Sequence, residues 1–165
     1  MDPIRNRRDK LDARTATPSP ATQATTRVAF ADAPPLIPPR VLIVDDDADI
    51  LDVLQMLFTD DGFRPVCCNT NEAALTALAA EPVQLVITDL RLVSGTGIDL
   101  IRQVRVQYGD MPGVIVLTAV RPGHADVEME QIARMGGRIM AKPFDIDDLL
   151  DVARALTGWP GRALP

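Results

Sequence analysis

Val41-Leu42-Ile43-Val44-Asp45-Asp46-Asp47, read together with Leu85-Val86-Ile87-Thr88-Asp89, decides the fold of this chain. Each stretch is a short apolar run that stops in carboxylates. Runs that are apolar at every position, rather than at every second one, are strands buried on both faces, as in a parallel sheet covered by helices. The carboxyl ends of neighbouring strands in such a sheet open on one crevice, which would gather Asp45, Asp46 and Asp89. Like charges so gathered repel and raise one another's pKa, and a hard divalent cation with oxygen ligands is the usual compensation. A magnesium-dependent phosphoryl site is the first expectation.

Outward from these runs, strand and helix patterns alternate without internal repeats. Asp47 or Asp49 can cap a helix that carries Ile50, Val53, Leu54, Leu57 and Phe58 on one face and ends at Asp61-Gly62,. Arg64 to Cys68 reads as a second strand, which Pro65 places at a sheet edge,. A helix over Glu72 to Ala80 stops before Pro82, and the Leu85 strand is followed by a flexible loop at Ser94-Gly95-Thr96-Gly97. Ile98, Ile101, Val104 and Arg105 continue a helix, and Gly113 to Leu117 is a fourth strand ending in Thr118-Ala119. A weakly amphipathic helix near Ala125 to Met135 has Val127, Ile132 and Met135 at useful spacings. Arg138 to Ala141 is extended, and Asp145 with Asp148 opens a last helix through Leu149, Leu150, Ala153 and Leu156,. Right-handed crossovers then predict an α/β, doubly wound (βα)5 fold of the flavodoxin-like kind, a five-stranded parallel sheet in the order 2-1-3-4-5.

Composition bounds the rest. A chain of 165 residues, 47% hydrophobic and 24% charged, supports one core,. The net charge of -6, the scattered Lys and Arg, and only six aromatic residues (one Trp, one Tyr, four Phe) argue against nucleic-acid binding,. Cys67 and Cys68 are adjacent, without CxxC or His spacing, and read as reduced small hydrophobes on a strand,. Residues 1–39 hold seven of the fourteen prolines and carry four Asp against six Lys plus Arg, a net of +2. The remainder, 11 basic against 19 acidic, carries -8. The segment 1–39, rich in Pro, Thr and Ala, is expected to be a disordered tail, because it has too little apolar surface to offset its ordering entropy. It contains no run long enough for a signal-peptide core or a membrane span, and a cytoplasmic location is expected.

The chain resembles a response-regulator receiver domain of two-component signalling. The resemblance covers about Arg40 to Leu156 and rests on four motifs, each at a strand's carboxyl end. They are Val44-Asp45-Asp46-Asp47, Thr88-Asp89-Leu90-Arg91, Leu117-Thr118-Ala119 and Ala141-Lys142-Pro143-Phe144. By this resemblance residues 40–157 form the receiver domain and 158–165 a short C-terminal tail. Asp89 is the phosphoacceptor, since a carboxylate can carry a phosphoryl group as an acyl phosphate. Asp45, Asp46, Asp89 and the backbone carbonyl of Arg91 hold Mg2+, with Asp45 acting through water. Lys142 pairs with Asp89 and then with a phosphoryl oxygen, and Thr118 offers its hydroxyl to another. A cis Lys142-Pro143 bond is implied. The partners implied are a histidine kinase or histidine phosphotransfer protein and an output protein, without nucleic acid or membrane.

Taken singly these residues have plainer readings. Asp47 is a helix cap rather than a ligand, Thr118 a strand-end hydroxyl satisfying backbone, and Lys142 a solvated lysine; their joint placement is what argues for function. His124, after Pro122-Gly123, reads as a surface histidine, and Trp159 as a cover for the last helix. The sequence departs from the family at Val93, where proline is usual, at Ile139, where Tyr or Phe is usual, and over Gly136 to Lys142, which looks one residue short. Because only Thr157 to Pro165 follow the last helix, a single-domain regulator acting through protein contacts is expected. A phosphorelay intermediate is the alternative within the same chemistry. A magnesium-dependent phosphatase with an aspartate nucleophile would need an aspartate where Arg91 stands. A nucleotide-binding protein would need a glycine-rich loop where Asp45-Asp46-Asp47 stands,.

Overall fold

The computed structural model describes residues 37–119 and 126–162. The expectations for residues 1–36, for the 120–125 loop with His124, and for 163–165 lie outside the described residues. In chain order the elements are β1 (Arg40–Val44), α1 (Ala48–Asp60), β2 (Arg64–Cys68), α2 (Asn71–Ala80), β3 (Leu85–Asp89), β4 (Arg91–Leu92), β5 (Gly95–Thr96), α3 (Gly97–Tyr108), β6 (Gly113–Thr118), α4 (Asp126–Arg134), β7 (Gly137–Ala141) and α5 (Ile146–Thr157). Five of the strands form one sheet in the order β2-β1-β3-β6-β7, with every pairing parallel. This is the predicted 2-1-3-4-5 arrangement, counted over sheet strands, and β2 with its Pro65 lies at an edge.

The continuous apolar runs are explained by the two layers they feed. Leu42, Val44, Val86, Val114 and Val116 point to one face and pack with Ala74 and Leu78 of α2, Ile98, Ile101 and Val104 of α3, and Ile132 of α4. Val41, Ile43, Leu85, Ile87, Ile115 and Leu117 point to the other and pack with Leu54 and Phe58 of α1 and with Leu149 and Ala153 of α5. Alternate residues along the inner strands thus serve opposite layers, which keeps these runs almost wholly apolar until they near their carboxyl ends. In register, Val44 lies beside Thr88, Asp89 beside Leu117, and Thr118 beside Ala141.

Helix starts follow side-chain caps. Asp47 accepts from the amides of Asp49 and Ile50, Thr70 from Ala73, Thr96 from Asp99 and Asp145 from Asp147,. Two helix faces differ from the periodicity reading. Val53 is 48% exposed and Val127 66%, while Leu54, Phe58 and Ile132 are buried. The four residues from Ser94 to Gly97, expected as a flexible loop, instead belong to a ribbon and a helix start. Arg91 pairs with Thr96 and Leu92 with Gly95, antiparallel, and α3 begins at Gly97. Leu92 is buried and anchors the ribbon. Gly97 is dictated by close approach, since a Cβ there would stand 2.3 Å from the Asp89 carbonyl oxygen. Trp159 joins the core layer that α5 feeds and also covers the α1–β2 turn: its ring lies 6.2 Å from Phe63 and its Nε1 donates to the Asp61 carbonyl at 3.0 Å.

Candidate functional site

The carboxyl ends of β1, β3, β6 and the segment after β7 converge, and a single ammonium joins them. Lys142 Nζ lies 2.8 Å from Asp45 Oδ2 and 2.6 Å from Asp89 Oδ2. Lys142 is aimed by its backbone, because its N–H donates to the Thr118 carbonyl at 2.7 Å and extends the β6–β7 ladder by one bond. The Lys142–Pro143 peptide is cis, as the resemblance implied. The remaining carboxylate oxygens are held by local turns. Asp45 Oδ1 accepts from the Asp47 amide at 3.0 Å, and Asp89 Oδ1 from the Arg91 amide at 3.0 Å. Each acid is therefore oriented on one oxygen and ion-paired on the other.

Burial makes the arrangement electrostatically consequential. The side chains of Asp45, Asp89 and Lys142 are 3%, 15% and 17% exposed. Burial alone would lower the Lys142 pKa, but its hydrogen bonds to Asp45 and Asp89 and their charges outweigh that and raise it,. The carboxylate crowding read from the sequence is thus half cancelled by Lys142. Thr118 stands at the end of β6, 1% exposed. Cys67, by contrast, is pushed up to about 11 by burial, helped by Cys68 and Asp52, and Cys68 is also raised by burial. Both thiols are free and belong to packing.

The structure brings Asp45, Asp89 and Lys142 together. Asp46 is exposed, Asp47 is the α1 cap, and the Arg91 side chain turns to Glu128 Oε2 on α4 at 2.7 Å. Among the described residues, no group of three or more His, Cys, Asp or Glu side chains stands close enough to hold a metal ion. Lys142 Nζ bridges Asp45 and Asp89. The donor chemistry nevertheless fits a hard divalent cation, since the carboxylates of Asp45, Asp46 and Asp89 and the Arg91 carbonyl are all oxygen donors.

Features that sequence reading missed surround the site. The Arg91–Glu128 ion pair ties the segment after Asp89 to α4, and Asn71 of α2 reaches the ribbon at Ser94 and Thr96. A cavity of about 430 Å³ opens beside Lys142, walled by Ile50, Val53 and Leu57 of α1 and by Phe144 and Ile146 after β7. Only the apolar positions of α1 hinted at it, because its other wall is an irregular loop.

Comparison with known proteins agrees with this geometry. Residues 41–154 match the response regulator receiver domain family. The DNA-binding transcriptional regulator NtrC of Proteus hauseri is 33% identical over 132 residues, which are 76% of this chain and 26% of that protein. The chain therefore spans about a quarter of the length of this curated relative. Among solved structures, the signal receiver domain of an HD domain-containing protein from Pseudomonas fluorescens Pf-5 is similar at a TM-score of 0.68 and 26% identity, covering 76% of this chain and 91% of that one. A response regulator receiver protein from Pseudomonas putida is similar at a TM-score of 0.66 and 28% identity, covering 72% and 97%. With the family match spanning nearly the whole described domain and the four strand-end motifs meeting in one crevice, the chain belongs to the response regulator receiver domain family.

Proposed function

We propose that this receiver domain accepts a phosphoryl group on Asp89 from a phosphohistidine and passes the signal on through protein contacts. The observation that carries the reading is the ammonium of Lys142 shared between Asp45 and Asp89 at the strand ends. Lys142 pairs with one Asp89 oxygen while the Arg91 N–H fixes the other, and each carboxylate oxygen retains a lone pair beyond the hydrogen bond it accepts,. Attack by Asp89 on phosphorus forms a P–O bond as the donor's P–N bond breaks, the leaving imidazole nitrogen taking the electron pair. Lys142 then has a phosphoryl oxygen to pair with, and Thr118 is the hydroxyl at hand for another. Asp45, Asp46, Asp89 and the Arg91 carbonyl are the residues that would hold Mg2+, which when bound neutralises charge on the phosphoryl group and the acids.

The partner proposed as donor is a histidine kinase or histidine phosphotransfer protein. The largely apolar cavity beside Lys142 supports a protein donor, because it offers α1 surface within reach of the crevice. Passing the phosphoryl group onward to a phosphotransfer histidine is the same chemistry run in reverse, and a cytoplasmic setting fits both. No helix among the described residues is long and apolar enough to cross a membrane. The phosphatase reading weakens, since Arg91, where an acid-base aspartate would be needed, is engaged with Glu128.

Incubation with acetyl phosphate and magnesium, followed by intact mass, tests the proposal. One added phosphoryl group is expected, lost in Asp89→Ala and lost together with metal dependence in Asp46→Ala. Labelling of Asp89→Ala, or full labelling of Asp46→Ala without metal, would show the assignment to be wrong.

A further inference from the structure

The segment after Asp89 is gripped from outside by Asn71, a residue with no part in the chemistry above. Asn71 opens α2 behind the Thr70 cap. Its backbone N–H, which an isolated helix leaves without a partner, donates to Ser94 Oγ at 3.1 Å,. Its side-chain Nδ2 donates to the Thr96 carbonyl at 3.3 Å. One residue thus holds both sides of Gly95, whose φ of +141° suits glycine alone and where a Cβ would stand 3.3 Å from Asn71 Nδ2,.

Helix formation does not account for this amide. Asn71 is 8% exposed, and its Oδ1 is a buried acceptor with no hydrogen-bond partner. Buried polar groups are as a rule paired, and an apolar residue at the first position of α2 would leave no such orphan. Turning the amide over would set Oδ1 against the Thr96 carbonyl, so the donor to Thr96 decides the orientation. What the donor secures is the ribbon. Thr96 pairs with Arg91 and Gly95 with Leu92, the Arg91 N–H orients Asp89 Oδ1, and the Gly97 N–H closes on the Leu90 carbonyl at 3.0 Å. Drift of Ser94–Thr96 would pass through two ladder rungs to the amide that aims the phosphoacceptor.

We infer that Asn71 is a positioning residue for phosphoryl transfer, clamping the β4–β5 ribbon so that the Arg91 backbone presents its amide to Asp89. The inference rests on the reading of Asp89 as the phosphoacceptor. It makes Asn71 act at a distance, by restraining backbone, and predicts that another restraint on the same turn can stand in for it. Val93 holds the first of the two turn positions between Leu92 and Gly95, where a proline ring would narrow the available conformations,.

The test uses the full chain with magnesium and acetyl phosphate, following intact mass across donor concentrations, and amide hydrogen exchange by NMR. Asn71→Ala should lower the limiting rate about ten- to a hundredfold while leaving the half-saturating donor concentration nearly unchanged. The Arg91 amide should exchange faster, and the melting temperature should fall by only a few degrees. Ser94→Ala, which removes the other bond, should move the same readouts less, and it decides the matter if Asn71→Ala does not fold. Adding Val93→Pro to Asn71→Ala should recover part of the rate without restoring the hydrogen bond to the Thr96 carbonyl. A wild-type limiting rate in Asn71→Ala, or an unchanged Arg91 exchange rate, overturns the inference. If instead the wild type takes no phosphoryl group, or Asp89→Ala takes one, the reading of Asp89 fails, and Arg91 exchange still reports whether Asn71 holds the ribbon.

Discussion

Lys142 is the residue on which the crevice depends. Without it Asp45 and Asp89 would face each other with no cation between them, so Lys142→Met should destabilise the protein by about 2 kcal/mol, below the range for fully buried pairs because the crevice opens to solvent. Adding Asp89→Asn should return part of that loss, as measured by denaturant unfolding; a double variant no more stable than Lys142→Met would mean the carboxylates do not repel. The pH dependence has a definite sign. The folded pKa of Lys142 lies above its ordinary 10.5, so the stabilisation it supplies is complete below that value and is lost as pH rises through the higher folded one,. The stability difference between wild type and Lys142→Met should therefore stay flat from neutral to about pH 10 and shrink above it. Cys67, held near 11 by burial, should react with a thiol reagent at pH 8 about a hundredfold more slowly in the native protein than in urea,. Comparable rates would indicate that the β2 edge opens readily.

At the scale of elements, the junction from β3 to α3 is the tightest. Gly97→Ala would place a methyl 2.3 Å from the Asp89 carbonyl oxygen and 3.1 Å from Thr88 Cγ2, so backbone must move. A loss of about 1–3 kcal/mol is expected, together with slower labelling, because the displaced atoms belong to the phosphoacceptor itself. Unchanged labelling at reduced stability would uncouple the junction from the chemistry. Ile139 on β7 stands where the family usually has an aromatic ring, and it packs against the layer that holds Met129 and Met135. Being β-branched, it has one stiff rotamer and no polar tip, so a rotating ring cannot be its role. Ile139→Ala should cost about 2 kcal/mol in stability and leave the labelling rate within twofold. A large change in rate with little change in stability would restore a switching role to this position.

At the scale of the molecule, the whole stability is expected to reside in the domain beginning near Arg40. Residues 1–36 have the composition of a segment that cannot bury enough surface to order itself, so deleting them should leave both melting temperature and labelling nearly unchanged. A drop of several degrees would reveal that the segment contributes contacts to the fold. The described domain is closed at its far end by packing that composition did not announce. Arg154 pairs with Asp61, Trp159 rests on Phe63, and Arg40, 8% exposed, bonds the carbonyls of Ala77 and Glu81. With the bond from Trp159 Nε1 to the Asp61 carbonyl, these contacts join residues up to 98 positions apart, beyond the reach of any local pattern.

That reach separates what was readable along the chain from what was not. The parallel sheet, its strand order and the strand-end acids Asp45 and Asp89 were legible because burial on two faces writes an unbroken apolar run that closes at the sheet's end, whereas Thr118 and Lys142 were legible through the family resemblance of their motifs. Caps such as Asp47 and Asp145 were legible for a similar reason, since each serves amides two or three residues away,. The ribbon, the Arg91–Glu128 pair, the grip of Asn71 on Ser94 and Thr96, and the sharing of one ammonium by two acids were decided only by tertiary structure. Each depends on the distance between side chains from different elements. Periodicity constrains which face a residue takes but is silent on which neighbour it meets there.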